Sequence, residues 1–422
     1  MAIEFILTLC TVVLCALLLL VLFEPSIGYH ASASIPEPTS GAFLRVLGAI
    51  TGSEVLDAET VEVLTNGKAF YESELAAIRA ASKSVHIEAF IFHPSEIGDR
   101  FLAALTERAQ AGVTVRVVVD AIGSFPTPDR YFAGLRAGGG SVAWYQPIRW
   151  YTLKRFNNRT HREIIVVDGT IGFVGGAGIA SHWLGGDQGA TPWRDTMLRV
   201  TGGIVAGLQT AFAENWLEST GEILADAAIF PEFRSSVRNK AGLVVIGTPS
   251  PARSSRARVL FQVLLAAARQ SIDINSPYFL PDRNARRELI AAAGRGVQVR
   301  IITPGSANNH PAARRASRRR YGELLKAGVE IYEFQPGMIH AKILIVDGLL
   351  CVVGSTNFDS RSFDLNDEVS MAVLDRELAA RLNADFERDR TLCRSVTYAQ
   401  WESRPLGERA LAMLGFFLER QE

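Results

Sequence analysis

Val85-His86-Ile87-Glu88-Ala89-Phe90-Ile91-Phe92 and Ile272-Asp273-Ile274-Asn275-Ser276-Pro277-Tyr278-Phe279 are two versions of one strand. A helix-period segment precedes each, Ala69 to Ser82 in the first case and Val259 to Arg269 in the second. A second helical segment follows each (Phe101 to Ala111, Arg286 to Ala293), then a glycine and an apolar strand, Val113 to Asp120 and Val297 to Thr303. Apolar β-branched runs alternating with helix-period segments predict α/β layering. Strands that are apolar nearly throughout predict a sheet covered on both faces. The expected fold class is therefore α/β, a pseudo-symmetric pair of related domains. A duplicated fold can exist without chemistry, so function has to be read from particular side chains.

The chemistry-bearing pattern lies further along each half. In the C-terminal half it reads His340-Ala341-Lys342-Ile343-Leu344-Ile345-Val346-Asp347, then Gly354-Ser355-Thr356-Asn357. Strand alternation places His340 and Lys342 on one face. An imidazole beside a fixed ammonium suits an anionic phosphoryl group. The lysine neutralises the non-bridging oxygens while the histidine attacks phosphorus or protonates a leaving oxygen. Gly354 permits close approach, and Ser355 and Asn357 supply hydroxyl and amide donors for the same oxygens. A lone strand histidine is more often structural; the complete spaced pattern is what points to a site.

In the N-terminal half the spacing recurs: His161, then Asp168, then Gly175-Gly176. Glu163 stands where the other half has Lys342, and Gly178 where it has Asn357. Two readings are open, a half decayed into scaffold or a retained His161 whose phosphate is held mainly by the other half. The intact run Ile164-Ile165-Val166-Val167-Asp168-Gly169 favours the second. Glu163 is expected either to pair with Arg159 or Arg162 or to contact a polar substrate headgroup. Asp168 and Asp347 lie too far along their strands to carry protons and are read as structural.

The doubled motif resembles that of the phospholipase D superfamily, and the surrounding text is similar to bacterial cardiolipin synthases over most of the chain after about residue 60. The resemblance is carried by Pro277-Tyr278-Phe279 with Pro281-Asp282, by Gly328-Val329-Glu330-Ile331-Tyr332-Glu333, and by Trp193-Arg194-Asp195 with the Phe212 to Trp216 segment. Its most specific part is Asn357-Phe358-Asp359-Ser360-Arg361-Ser362-Phe363 through Leu365-Asn366-Asp367-Glu368. The resemblance implies phospholipase D-like domains with mixed sheets and double displacement without a metal or other cofactor. One histidine attacks the phosphodiester and the other protonates the departing alcohol, then deprotonates the incoming one. By the same resemblance His161 is the nucleophile and His340 the general acid/base, the residues themselves leaving the reverse open. Asp195 and Glu368 occupy corresponding places in the two halves, and in the family such an acid hydrogen-bonds a histidine ring. Catalytic roles thus fall on His161, His340, Lys342, Asn357, Asp195 and Glu368, and substrate contacts on Gly176, Gly354, Ser355 and Glu163. The Lys-to-Glu and Asn-to-Gly departures put the phosphate contacts of the first half in question.

Composition bounds the partners. Lys+Arg and Asp+Glu both number 44, so the basic excess of a nucleic-acid binder is missing. The four cysteines have no metal-ligand spacing, and no metal is expected. Phe5 to Phe23 is an uninterrupted uncharged run; as a helix it would span roughly 28 Å, close to the ~30 Å hydrocarbon core. With Glu4 and no Lys or Arg before it, an uncleaved single-pass anchor in the bacterial cytoplasmic membrane is preferred to a signal peptide cleaved near Ala31-Ser32-Ala33. The expected organisation is an anchor over 1–24, a linker over 25–56, a first domain over 57–235, a second over 236–402 and a C-terminal amphipathic helix over 403–422. Arg314, Arg315, Arg318, Arg319 and Arg320 read as a solvated helical face or a headgroup-binding cluster, and His86, His93 and His182 as structural or exposed.

The leading functional expectation is a phosphatidyltransferase that joins two phosphatidylglycerols, or a phosphatidyl donor and another alcohol, at a membrane. A phospholipase D-type hydrolase uses the same residues with water as acceptor. A catalytically silent lipid-binding protein is motivated by Glu163 and Gly178. A nuclease is disfavoured by the charge balance and the anchor.

Overall fold

The computed structural model describes residues 2–22, 28–29, 35–150, 152, 155–185, 191–233, 240–250 and 255–405. Two mixed sheets carry the fold. The first has seven strands in the order Thr60–Thr65, Thr196–Thr201, Ile171–Gly175, Ile164–Val167, Ser84–Ala89, Thr114–Asp120 and Ser141–Tyr145. The second repeats that order with Lys240–Gly247, Glu368–Leu374, Leu350–Gly354, Ile343–Val346, Ser271–Asn275, Gln298–Pro304 and Glu330–Phe334, and adds Val55–Ala58 and Cys393–Val396 at its edges. In each half the strands joined by a crossover helix are parallel and the motif hairpin is antiparallel.

The sheets pack face to face, which explains why their strands lack polar alternation. Ile164 and Val166 point into a core shared with Ile343 and Ile345. Their neighbours Ile165 and Val167 point the other way, under Phe70, Leu75 and Phe101 of the first half's helices. Leu344 and Val346 do the same in the second half, under Leu260 and Leu289. A period of two that buries both sets reads in sequence as a continuous apolar run. The crossover helices Glu96–Gln110 and Arg283–Gly294 start at equivalent caps, Ser95 accepting from the amide of Gly98 at 3.2 Å and Asp282 from that of Ala285 at 2.8 Å.

Residues 41–56 of the expected linker are built into the second half. Gly41–Thr51 is a helix whose Phe43, Leu44 and Leu47 lie in the core of the second half. Val55–Ala58 pairs antiparallel with Lys240–Gly247 of the second sheet, and the chain enters the first sheet only at Thr60. The apolar spacing at 43, 44 and 47 is that of a one-sided helix, too short a signal to separate from the preceding prolines. At the N-terminus Ala2–Leu22 is helical. Among the described residues no helix is long and apolar enough to cross a membrane. The expected C-terminal amphipathic helix lies, from residue 406 on, outside the described residues.

Candidate active site

The two histidine motifs meet where the sheets abut, and the chain sews each motif to the other half. The amide of His161 donates to the carbonyl of Asp367 at 2.9 Å, and the amide of Asp367 to that of Arg159 at 2.9 Å. The mirror arrangement joins the amide of His340 to the carbonyl of Arg194 at 2.6 Å, and that of Arg194 to Met338 at 2.8 Å. Parallel bridges Thr160–Asp367 and Arg194–Ile339 complete this crossed stitch. Its consequence is that each imidazole receives its acid from the opposite half. His161 Nδ1 lies 3.1 Å from both carboxylate oxygens of Glu368, and His340 Nδ1 lies 2.9 Å from Oδ2 of Asp195. A carboxylate only accepts, so Nδ1–H donates in each ring and Nε2 is left for chemistry.

The acids are themselves held. Ser355 Oγ donates to Glu368 Oε2. On the other side Trp183 Nε1 donates to Asp195 Oδ2 at 2.9 Å and the amide of Thr196 to Oδ1 at 2.8 Å. Gly176, at the place equivalent to Ser355, leaves no space for a side chain. A Cβ there would stand 2.8 Å from Lys342 Cδ and 3.0 Å from both Asp195 Oδ1 and the His340 carbonyl.

Lys342 crosses to its own histidine as the strand pattern predicts. Its Nζ is 3.0 Å from His340 Nε2 and 2.9 Å from the His340 carbonyl oxygen. Burial lowers its ammonium to about 8, against the pull of Asp195, Glu368 and Glu163. Burial and then the Lys342 charge push His340 down to about 4, against Asp195. Asp195 is driven up by burial, but its bond to His340 and the charges of His340 and Lys342 leave it below the usual carboxylate range. His340 is therefore neutral, with the Lys342 ammonium beside both of its ring nitrogens, 2.9 Å from Nδ1 and 3.0 Å from Nε2.

Glu163 is buried and faces the same space without either expected arginine partner. Arg162 donates instead to the Ala211 carbonyl and the Glu214 carboxylate, both at 2.7 Å. Arg159 donates to the Gln146 carbonyl at 2.8 Å. Burial holds the Glu163 carboxyl well above its ordinary range, with the amides of Ile91 and Phe90 and the Lys342 charge acting against it. Asn357 is buried, and its Oδ1 has no hydrogen-bond partner among the described residues. These groups open on a cavity of about 430 Å³ lined by both histidines, Glu163, Gly176 and Asn357, a size suited to a polar headgroup.

The family profile described as "Cardiolipin synthase, PLD-like domain" matches residues 75–186 and 262–390. The chain is 36% identical over 373 residues to a cardiolipin synthase of a Geobacillus species, covering 87% of this chain and 73% of that one. This chain belongs to the cardiolipin synthase family of phospholipase D-like proteins. A cardiolipin synthase A of Pseudomonas fluorescens is 34% identical over 379 residues, covering 88% of this chain and 78% of the other. The phosphatidylserine synthase of Haemophilus influenzae superposes with a TM-score of 0.71 at 16% identity, over 90% of this chain and 99% of that one. That likeness shows a shared fold.

Within this cardiolipin synthase family member, the cavity is also lined by Trp193, Asp359, Arg361 and Asn366, to which sequence reasoning gave no place in the site. Three lie inside the quoted Asn357 to Glu368 run, yet nothing in their spacing separates lining from packing. Arg361 Nη1 donates to Asn157 Oδ1 at 2.9 Å, tying the second half to the loop before His161. Burial raises Asp359 to about 6. Asp168 and Asp347 are away from the chemistry. Each takes a positive φ (52° and 54°) and accepts three successive amides, of Ser82, Lys83 and Ser84 in one case and Arg269, Gln270 and Ser271 in the other. His86 bonds Gln209 at 2.9 Å and stacks on Phe212, His93 bonds the Gly123 carbonyl at 2.9 Å, and His182 packs on Trp183 and Trp193. Arg314 and Arg318 face the buried Glu333 at 3.2 and 3.4 Å, so part of the basic cluster is internal ion pairing. Among the described residues no group of three or more His, Cys, Asp or Glu is arranged to hold a metal ion.

Proposed function

We propose that this chain, a phosphatidyltransferase of the phospholipase D superfamily, makes cardiolipin from two phosphatidylglycerols through a phosphohistidine intermediate. The observation that carries the reading is the pair of carboxylate-held imidazoles, contributed by opposite halves and opening on one cavity. His161 Nε2 attacks the phosphorus of the first phosphatidylglycerol, the P–O bond to its headgroup glycerol breaks, and His340 protonates the departing glycerol oxygen. A hydroxyl of the second phosphatidylglycerol then gives its proton to His340 and attacks phosphorus, releasing His161 and leaving cardiolipin. Lys342 and the Asn357 amide stabilise the non-bridging oxygens. Protonated His340 is needed in the first step although burial and the Lys342 charge favour the neutral ring. A bound phosphodiester supplies the compensation, because its charge draws the Lys342 ammonium and relieves the main charge repulsion on the ring.

The reverse assignment, His340 as nucleophile, is favoured by that same lowered basicity. The two are separated by locating the phosphorylated histidine after rapid quench, in a peptide carrying His161 or in one carrying His340. The uncharged run from Phe5 to Phe23 supports a single-pass anchor in the cytoplasmic membrane, which resistance to alkaline extraction tests.

The decisive experiment incubates detergent-solubilised protein with phosphatidylglycerol beside His161→Ala and His340→Ala. Cardiolipin plus glycerol from wild type and from neither variant is the expected result. Phosphatidic acid in place of cardiolipin would transfer the chain to the hydrolases, and no turnover of any phospholipid would leave it a binding protein.

A further inference from the structure

The loop between Tyr145 and Thr160 reads Ile148-Arg149-Trp150-Tyr151-Thr152-Leu153-Lys154-Arg155-Phe156, aromatic and basic residues interleaved without an acid. Trp150 is 84% exposed, Ile148 56% and Phe156 52%. The loop after Asp120 carries Phe125, 79% exposed, and Ile122. Beyond the N-terminal helix, these two loops hold every exposed Phe or Trp among the described residues. They leave the sheet side by side, since Thr114–Asp120 and Ser141–Tyr145 are parallel with Asp120 opposite Tyr145. Both border the catalytic cavity, one through Ile122 and the other through Arg159. Exposed aromatics confined to two neighbouring loops mark a surface that another molecule covers.

We propose that these two loops dock the mouth of the cavity onto an anionic phospholipid bilayer. Trp150, Phe125 and Phe156 enter the interfacial layer, and Arg149 and Arg155 meet lipid phosphates. Two features select this occupant. Aromatic side chains flanked by basic ones match the polarity profile of a headgroup layer, and the basic loop complements an anionic leaflet. The patch is also continuous with a cavity that, on the reading proposed above, must take its substrates from the same leaflet.

Trp150 is the one exposed tryptophan among the described residues, so its fluorescence reports contact directly. The full chain is reconstituted into phosphatidylglycerol-containing vesicles with brominated acyl chains, and wild type is compared with Trp150→Ser. The expected result is strong quenching of a component that the variant lacks. With Phe125→Ser added, turnover of vesicle-embedded phosphatidylglycerol falls about tenfold while turnover of monomeric short-chain phosphatidylglycerol stays within about twofold. Absence of a quenched Trp150 component overturns docking, as does an equal loss on both substrates. Protection of Trp150 by single-stranded DNA but not by vesicles reassigns the surface to nucleic acid. If even wild type turns over neither substrate, the transferase reading fails, while the quenching still decides docking.

Discussion

A Cβ built on Gly178 would stand 2.9 Å from Oε1 of Glu163. The two departures of the first motif are therefore one linked change: the acid occupies space that a side chain at 178 would need. The same Cβ would meet the Ile91 carbonyl oxygen at 2.8 Å, so relief is incomplete when the acid is removed. Gly178→Ala is expected to destabilise by about 1–3 kcal/mol. In a Glu163→Ala background the cost should fall by about 0.5 kcal/mol or more. Denaturant titration of the four proteins of the cycle measures this, and strictly additive costs would mean the positions are independent.

Asp168 and Asp347 carry a second prediction. Each carboxylate accepts three consecutive amides at the start of the neighbouring strand, Ser84–Ala89 or Ser271–Asn275. Burial raises Asp168, but these bonds outweigh it and hold the carboxyl below its ordinary value. Some of the released amides reach water, so Asp168→Ala should cost about 2 kcal/mol rather than the full sum. The melting temperature should drop while kcat per folded molecule is retained. A loss of kcat without a loss of stability would place the aspartate in the chemistry instead.

Lys342 is expected to set the alkaline limit of activity. Its ammonium is lowered to about 8 chiefly by burial, and phosphate binding needs the charged form. Charge is lost as pH rises through that value, so kcat/KM should fall above pH 8, because this ratio reports ionisations of the free enzyme. Lys342→Arg keeps its charge to well above pH 11, so its alkaline limb should disappear even if its rate is lower. A limb that stays near pH 8 in that variant belongs to another group.

The fold was legible because duplication supplies its own control: two helix–strand–helix–strand texts agree, and the sheets repeat one strand order. The motif residues were legible from spacing, down to the shared face of His340 and Lys342. The pairing of acids with histidines was not. It arises from the backbone stitch between Thr160 and Asp367 and between Arg194 and Ile339, contacts between residues about 150 to 210 positions apart that no local periodicity encodes. Asp359 and Arg361 escaped for the same reason, since lining a cavity formed by two halves leaves no mark on either half alone. The helix Gly41–Thr51 escaped because its apolar face is completed only by the second domain.

On the proposed mechanism, that crossed pairing should separate the two half-reactions. Glu368 holds the ring of His161, and Asp195 that of His340. An amide in place of either acid presents the wrong hydrogen-bond partner to Nδ1–H and should reduce overall transfer by about 10²-fold to 10⁴-fold. The consequences differ when the donor is a phosphatidyl ester of p-nitrophenol, whose leaving group needs no protonation. In Asp195→Asn the attack by His161 proceeds unaided, but His340 can no longer take the proton of the incoming alcohol. Nitrophenol should then appear as a burst of about one equivalent per site, with the phosphatidyl group retained on His161. In Glu368→Gln the nucleophile itself is misoriented, and no burst should form. A burst in Glu368→Gln and none in Asp195→Asn would exchange the two roles, because the nucleophile must be the histidine whose acid is still in place.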